Sequence, residues 1–282
     1  MKTMSEKVTV PQLLASKSRR RRIVMVTAYD ATFARLLDQP GVDVLLVGDS
    51  LGMVIQGHAN TIPVSVDDII YHCRAVSRGI TRAHLCADMP FLANKVSVDR
   101  SLECAARIVQ EGRAESVKLE GGEEAAEAIN RIVRAGIPVV GHVGMTPQSV
   151  HAFGGFRTQG KEDSERRKIR KDALAVAEAG AFCLVLEGIP MELAADITKS
   201  VAIPTVGIGA GPHCDGQVLV SYDLLGLSED FSPKFLKKYA DLATSVKEAI
   251  AAYGADVHSG TFPGPEHSTS LRPGTAERRR KK

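Results

Sequence analysis

At 282 residues the chain can bury a large core unaided, and 44% hydrophobic against 24% charged residues is an ordinary globular composition. A formal charge of +3 argues against bulk electrostatic binding to nucleic acid, and no apolar run approaches the ~18 residues of a membrane helix. The five cysteines (Cys73, Cys86, Cys104, Cys183 and Cys214) are widely spaced with no C-x-x-C pair, which excludes a disulfide framework or zinc knuckle. They read as small buried hydrophobes in a reducing cytoplasm, the expected location.

Residues 1–22 carry no long apolar stretch after Lys2, Glu6 and Lys7, so no secretory signal is expected. Arg19 to Arg22 form a basic run before the first strand; it reads as a solvated turn, with a phosphate or RNA contact as the alternative. From Ile23 the chain alternates. Short Val/Ile/Leu runs begin at Ile23, Val42, His84, Ser116, Pro138, Phe182, Pro204 and Gly216, each followed by a stretch with helical spacing. The runs are continuously apolar, as parallel strands covered on both faces require.

Helix boundaries are also legible. Asp67-Asp68 opens one helix closed by Gly79, and Ser97 opens another closed by Gly112; two more end at Gly136 and Gly180. Eight β-then-α units over about 230 residues predict a single (β/α)8 barrel spanning 23–253, with a doubly wound sheet as the alternative. The segment from about Gly254 to Lys282 is rich in Gly, Pro and Ser, ends in R-R-R-K-K, and is expected to be largely disordered.

In such a barrel the chemistry lies at the C-terminal ends of the strands. Those ends carry Tyr29-Asp30, Asp49-Ser50, Asp88, Lys118 and Glu120, His142 and Glu187, followed by the G-I-G-A-G loop at Gly207–Gly211. One Asp after a strand is usually a turn former. Asp49, Asp88, Glu120 and Glu187 on one rim are harder to dismiss, because carboxylates at one point repel unless a cation sits between them. Oxygen ligands without a Cys or His cluster point to Mg2+ or another hard divalent ion. Such an ion leaves positions for a 2-oxo acid and would stabilise an enolate beside the keto group.

Lys118 alternates with Glu120 and is expected to pair with the substrate carboxylate; Glu187, ending the V-L-E run, is the candidate base. His142 reads either as a hydrogen-bonded interior histidine or as a residue behind the ligands. The G-I-G-A-G loop reads either as a phosphate site at a helix N-terminus or as a tight turn admitting a flat group.

The segments V-T-A-Y-D, L-L-V-G-D-S-L-G-M, A-D-M-P-F, V-K-L-E-G-G, G-H-V-G-M-T-P-Q-S-V, F-G-G-F, L-V-L-E and P-G-P-E-H-S occur in one order. With them the chain closely resembles the ketopantoate hydroxymethyltransferase family over about residues 9–268. The resemblance implies transfer of a one-carbon unit from 5,10-methylenetetrahydrofolate to 3-methyl-2-oxobutanoate on a (β/α)8 barrel, with Mg2+ as the metal. It implies Asp49, Asp88 and Glu120 at the metal and Asp49, Ser50, Asp88 and Lys118 at the oxo acid. Glu187 becomes the proton acceptor. Self-association, commonly as a homodecamer, is also implied, with no nucleic-acid or membrane partner. Three departures stand out: Gly-Ile follows Glu187; Lys161–Lys171 is unusually charged, where nothing catalytic is expected; and the Arg-rich tail past Ser268 exceeds the family pattern and has no assigned role. A Mg-dependent C–C lyase or mutase of the isocitrate lyase type is the rival reading, but no catalytic K-K-C-G-H-like loop is present.

Overall fold

A computed structural model describes residues 6–229 and 233–270. Eight parallel strands close into a barrel in sequence order: β1 (Ile23–Thr27), β2 (Val44–Val47), β3 (His84–Asp88), β4 (Ser116–Glu120), β5 (Val139–Gly144), β6 (Cys183–Glu187), β7 (Thr205–Ile208) and β8 (Gly216–Leu219). Pairing of Ile23 with Gly216 through Val26 with Leu219 joins β8 back to β1, so the sheet has no open edge. This excludes the doubly wound alternative.

The helices are α1 (Val10–Ser18), α2 (Ala31–Leu37), α3 (Leu51–Val54), α4 (Val66–Ser77), α5 (Val98–Gly112) and α6 (Ala126–Arg134). They continue with α7 (Val150–Phe153), α8 (Asp163–Glu178), α9 (Met191–Ser200), α10 (Ser221–Leu224) and α11 (Leu242–Ser259). Their ends follow local chemistry. The Ser65 hydroxyl accepts from Asp68 N while the Asp68 carboxylate accepts from Ser65 N, closing a capping box on α4. Ser97 caps α5 through Arg100 N. The stop expected at Gly112 is displaced by one residue, because Arg113 adopts the left-handed conformation. Gly112 serves packing instead: a Cβ there would lie 3.1 Å from Cys73 Cβ on α4.

Alternation along each strand separates two layers. Val44, Leu46, Cys86, Val140, Cys183 and Val185 fill the barrel interior, whereas Leu45, Val47, Leu85, Val139, Leu184 and Leu186 face the surrounding helices. Leu13 of α1, 1% exposed, joins the interior cluster and closes the N-terminal end of the barrel. Arg21 belongs to this closure, since it pairs with buried Asp43 at 2.7 Å, so the basic run is not wholly a solvated turn.

Two features depart from eight regular β/α units. Residues 209–215 join β7 to β8 with turns and bends and no helix. The last helix, α11, buries none of its residues, and Val246, Ile250, Tyr253 and Val257 on it are exposed. It also runs through Gly254, so the boundary expected at 253 falls inside a helix and residues 254–259 are helical rather than disordered. The closing R-R-R-K-K lies outside the described residues. Among the described residues no helix is long and apolar enough to cross a membrane.

Candidate active site

Strand parity carries the polar residues inward. Asp88 lies two positions beyond interior Cys86, His142 two beyond Val140 and Glu187 two beyond Val185, so all three continue the inner face. Lys118 and Glu120 share one parity on β4. Register brings the rows level, with Asp88 opposite Lys118, Glu120 opposite His142 and Gly144 opposite Glu187. Beyond β2 the chain turns at Gly48, where a Cβ would meet Ser50 Oγ at 2.9 Å and Asp88 Oδ2 at 3.4 Å. The bare backbone there lets the Asp49 peptide N–H donate to Asp88 Oδ2 at 3.0 Å.

These residues form the floor of a cavity of about 1950 Å3 that opens at the C-terminal end of the barrel. Its outer wall includes Met53, Phe156, Tyr222 and Phe235, and it continues past Val24 and Gln217 on the side of β1 and β8. On the floor, Lys118 Nζ lies 2.8 Å from Asp88 Oδ1 and 3.4 Å from His142 Nδ1. His142 lies between two carboxylates, with Nδ1 3.6 Å from Glu120 Oε1 and Nε2 3.1 Å from Glu187 Oε2. The latter pair is not aligned for a hydrogen bond, and Nε2 is a buried polar atom without a partner. Ser50 Oγ meets the hydroxyl of buried Tyr29 at 2.8 Å.

The electrostatics follow from burial. Desolvation, reinforced by Asp88, pushes the Asp49 carboxyl up to about 7. Desolvation also pushes Glu187 up to about 8, and desolvation together with Asp49 raises Glu120 well above the carboxylate range. Burial works against the Lys118 ammonium, but Asp88, Asp49 and Glu120 outweigh it and raise its pKa. Burial, aided by Lys118, drives His142 well below the ordinary histidine value, so its ring is neutral. The floor therefore holds more buried carboxyl groups than one ammonium can balance. That imbalance, with His142 Nε2 and Gln148 Oε1 left without partners, fits a hard divalent cation in the cluster. Among the described residues no three His, Cys, Asp or Glu side chains make a ready cage. Mg2+ does not need one, since it is usually held by one or two carboxylates and keeps its remaining positions for water and substrate.

All the residues expected at the site meet on this floor, and His142 is part of it rather than an isolated core histidine. Other strand-end residues have different work. Asp30 caps α2 by accepting from Thr32 N and Phe33 N. The G-I-G-A-G loop contributes Gly209 and Gly211 to the cavity wall at positive φ, but no helix follows it within residues 209–215, which removes the phosphate-at-helix reading. The charged Lys161–Lys171 segment leads into and runs along α8, and none of it lines the cavity. Sequence reasoning missed Gln148. It is buried after β5, donates through Nε2 to Asp49 Oδ2 at 2.8 Å, and donates through its peptide N–H to Glu120 Oε2 at 3.2 Å.

A family model described as ketopantoate hydroxymethyltransferase matches residues 7–265. The chain belongs to the ketopantoate hydroxymethyltransferase family. Similar proteins named 3-methyl-2-oxobutanoate hydroxymethyltransferase include one from Syntrophotalea carbinolica, 53% identical over 95% of this chain and 100% of that protein. Another, from Pelobacter propionicus, is 54% identical over 95% of this chain and 99% of that protein. The chain is thus an enzyme of the hydroxymethyltransferase family, a transferase built on a (β/α)8 barrel. Solved structures share the fold at low identity. A phosphonopyruvate hydrolase in complex with oxalate and Mg2+ aligns with a TM-score of 0.59 at 14% identity, covering 92% of each chain. A 2,3-dimethylmalate lyase of the PEP mutase/isocitrate lyase superfamily aligns with a TM-score of 0.57 at 15% identity, covering 96% of each chain.

Proposed function

We propose that the enzyme takes its one-carbon unit from 5,10-methylenetetrahydrofolate and, with one water consumed, transfers it to 3-methyl-2-oxobutanoate, giving 2-dehydropantoate and tetrahydrofolate for pantothenate biosynthesis. Asp49, Asp88 and Glu120 would hold Mg2+. When bound, that ion would draw electron density from the 2-oxo group and so acidify the adjacent C3. Lys118 and Ser50 are assigned to the substrate carboxylate, Lys118 by its charge and Ser50 by a hydroxyl already oriented by Tyr29. Glu187 takes the C3 proton onto its carboxylate; one water opens the donor's methylene bridge, breaking both of its C–N bonds to release tetrahydrofolate and a carbon at the formaldehyde level, and C3 attacks that carbon, whose oxygen is protonated to become the product's hydroxyl. Neutral His142, between Glu120 and Glu187, holds the two carboxyl groups apart.

One observation carries the choice of base. The Glu187 side chain is 17% exposed, whereas those of Asp88 and Glu120 are 5% and 2% exposed. Glu187 is therefore the glutamate of the cluster that can reach a substrate in the cavity. Glu187→Gln keeps the shape and removes the base. Deuterium exchange at C3 of 3-methyl-2-oxobutanoate should be abolished while oxo-acid binding stays within a few-fold of the parent. Exchange at the normal rate would dismiss Glu187 as the base. Two further expectations belong to the same reading: a cytoplasmic location, and self-association as a homodecamer. For the second, the exposed apolar residues of α11 supply a surface.

A further inference from the structure

The residue whose contacts are least explained by the chemistry above is Gln148. It sits in a 3-10 turn, Pro147–Ser149, that follows β5, and it is 4% exposed. Its side-chain amide donates both to Asp49 Oδ2 at 2.8 Å and to the Met89 carbonyl at 3.0 Å. Its peptide N–H reaches Glu120 Oε2 at 3.2 Å. One residue therefore occupies one oxygen on each of two carboxylates that arrive from β2 and β4. Its own Oε1 is buried and accepts from no donor.

We propose that Gln148 is the positioning residue of the cation site, a role that rests on the metal reading given above. By engaging Oδ2, the amide fixes the rotation of the Asp49 carboxylate and leaves Oδ1 as the oxygen available to an ion. The peptide N–H does the same for Glu120, leaving Oε1. The Met89 carbonyl fixes the amide in turn, because an NH2 group that donates to two acceptors cannot be flipped without exposing both to an oxygen. The orphaned Oε1 is then the natural acceptor for a water in the ion's hydration shell, since a 2-oxo acid has no N–H or O–H to offer at neutral pH. A glutamate would fail here: when ionised it cannot donate to Asp49, and it adds charge where carboxylates are already in excess. Groups that orient ligands in this way typically govern metal affinity by 10–100-fold.

The test is Mn2+ affinity, read by electron paramagnetic resonance titration without substrate. Gln148→Met and Gln148→Leu both remove the donor, and whichever retains the parent circular dichroism and melting behaviour carries the measurement. The expected result is a Kd for Mn2+ raised by roughly 10–100-fold, with a changed spectrum of the bound ion. Gln148→Asn, which keeps the amide one methylene short, should recover part of the affinity. Asp49→Asn is measured alongside. If it leaves Mn2+ binding unchanged, the metal reading itself fails. If it abolishes binding while the Gln148 variants bind as tightly as the parent, the metal reading stands and the role given to Gln148 is overturned.

Discussion

Replacing Lys118 by Met removes the buried ammonium of the floor while keeping the length of the side chain. Its Nζ lies 2.8 Å from Asp88 Oδ1, with the two side chains 8% and 5% exposed. At an effective dielectric of about 20, unit charges at that separation attract by roughly 6 kcal/mol, much of it offset by the cost of burying them. The substitution reads a different quantity, the penalty of leaving Asp88 buried and uncompensated, about 3–5 kcal/mol. Unfolding entropy of about 2.1 cal/mol/K per residue, taken over the whole chain, converts this to a melting temperature roughly 5–8 °C lower. Calorimetry on metal-free protein would measure it. The comparison is Arg100→Met, which breaks an ion pair of the same 2.8 Å length with side chains 50% and 59% exposed. Solvent screening there should leave no measurable shift. Equal effects from the two substitutions would refute the claim that the Lys118–Asp88 pair is buried beyond the reach of solvent screening.

Two predictions concern the barrel away from the floor. Burial lowers the pKa of His84 from 6.5 to about 4, so as pH falls the unfolded chain takes up the proton first. The stability gained by keeping this ring neutral is complete above pH 6.5 and is lost as pH falls toward 4; between pH 7.5 and 4.5 it amounts to roughly 2–3 kcal/mol. Urea titrations of His84→Asn should show a correspondingly smaller acid loss than the parent, and parallel curves would count against it. At Gly141 a Cβ would lie 2.2 Å from Val176 Cγ1, so Gly141→Ala should cost about 1–3 kcal/mol. Adding Val176→Ala should relieve part of that cost, and strict additivity in the double variant would show that the contact is not the cause.

The strands were legible because parallel strands buried on both faces must be apolar throughout, and the switch to Asp88, Glu120 or Glu187 at their ends stands out against that background. Parity then carries the same residues into the interior, so most of the floor could be read before any coordinates. Gln148 could not. It follows a proline in a short turn, carries no charge, and gains its meaning from Asp49, 99 positions away in sequence. The helix stop at Arg113 was hidden for a related reason: Gly112 looks like a terminator, yet it is small to accommodate Cys73 on the neighbouring helix. The link between β7 and β8 was read as a β/α unit because a glycine-rich loop resembles the start of a helix whether or not one follows. At the C-terminal end, composition suggests disorder from Gly254, but one glycine does not stop α11, because Ala251, Ala252 and Ala255 around it are strong helix formers.

Because α1 and the inner layer around Leu13 close one end of the barrel, the floor is reached, among the described residues, through the cavity that opens at the other end. Traffic to the site then has an order imposed by geometry. On the proposed function, a small oxo acid would be seated on the floor before the larger donor fills the space above it, and the product formed beneath would not leave until that donor's remnant had gone. Initial-rate kinetics should accordingly show a compulsory order, oxo acid first on and its hydroxymethylated product last off. A plug at the base of the barrel, far from any reacting atom, would thereby set the sequence of events at its mouth.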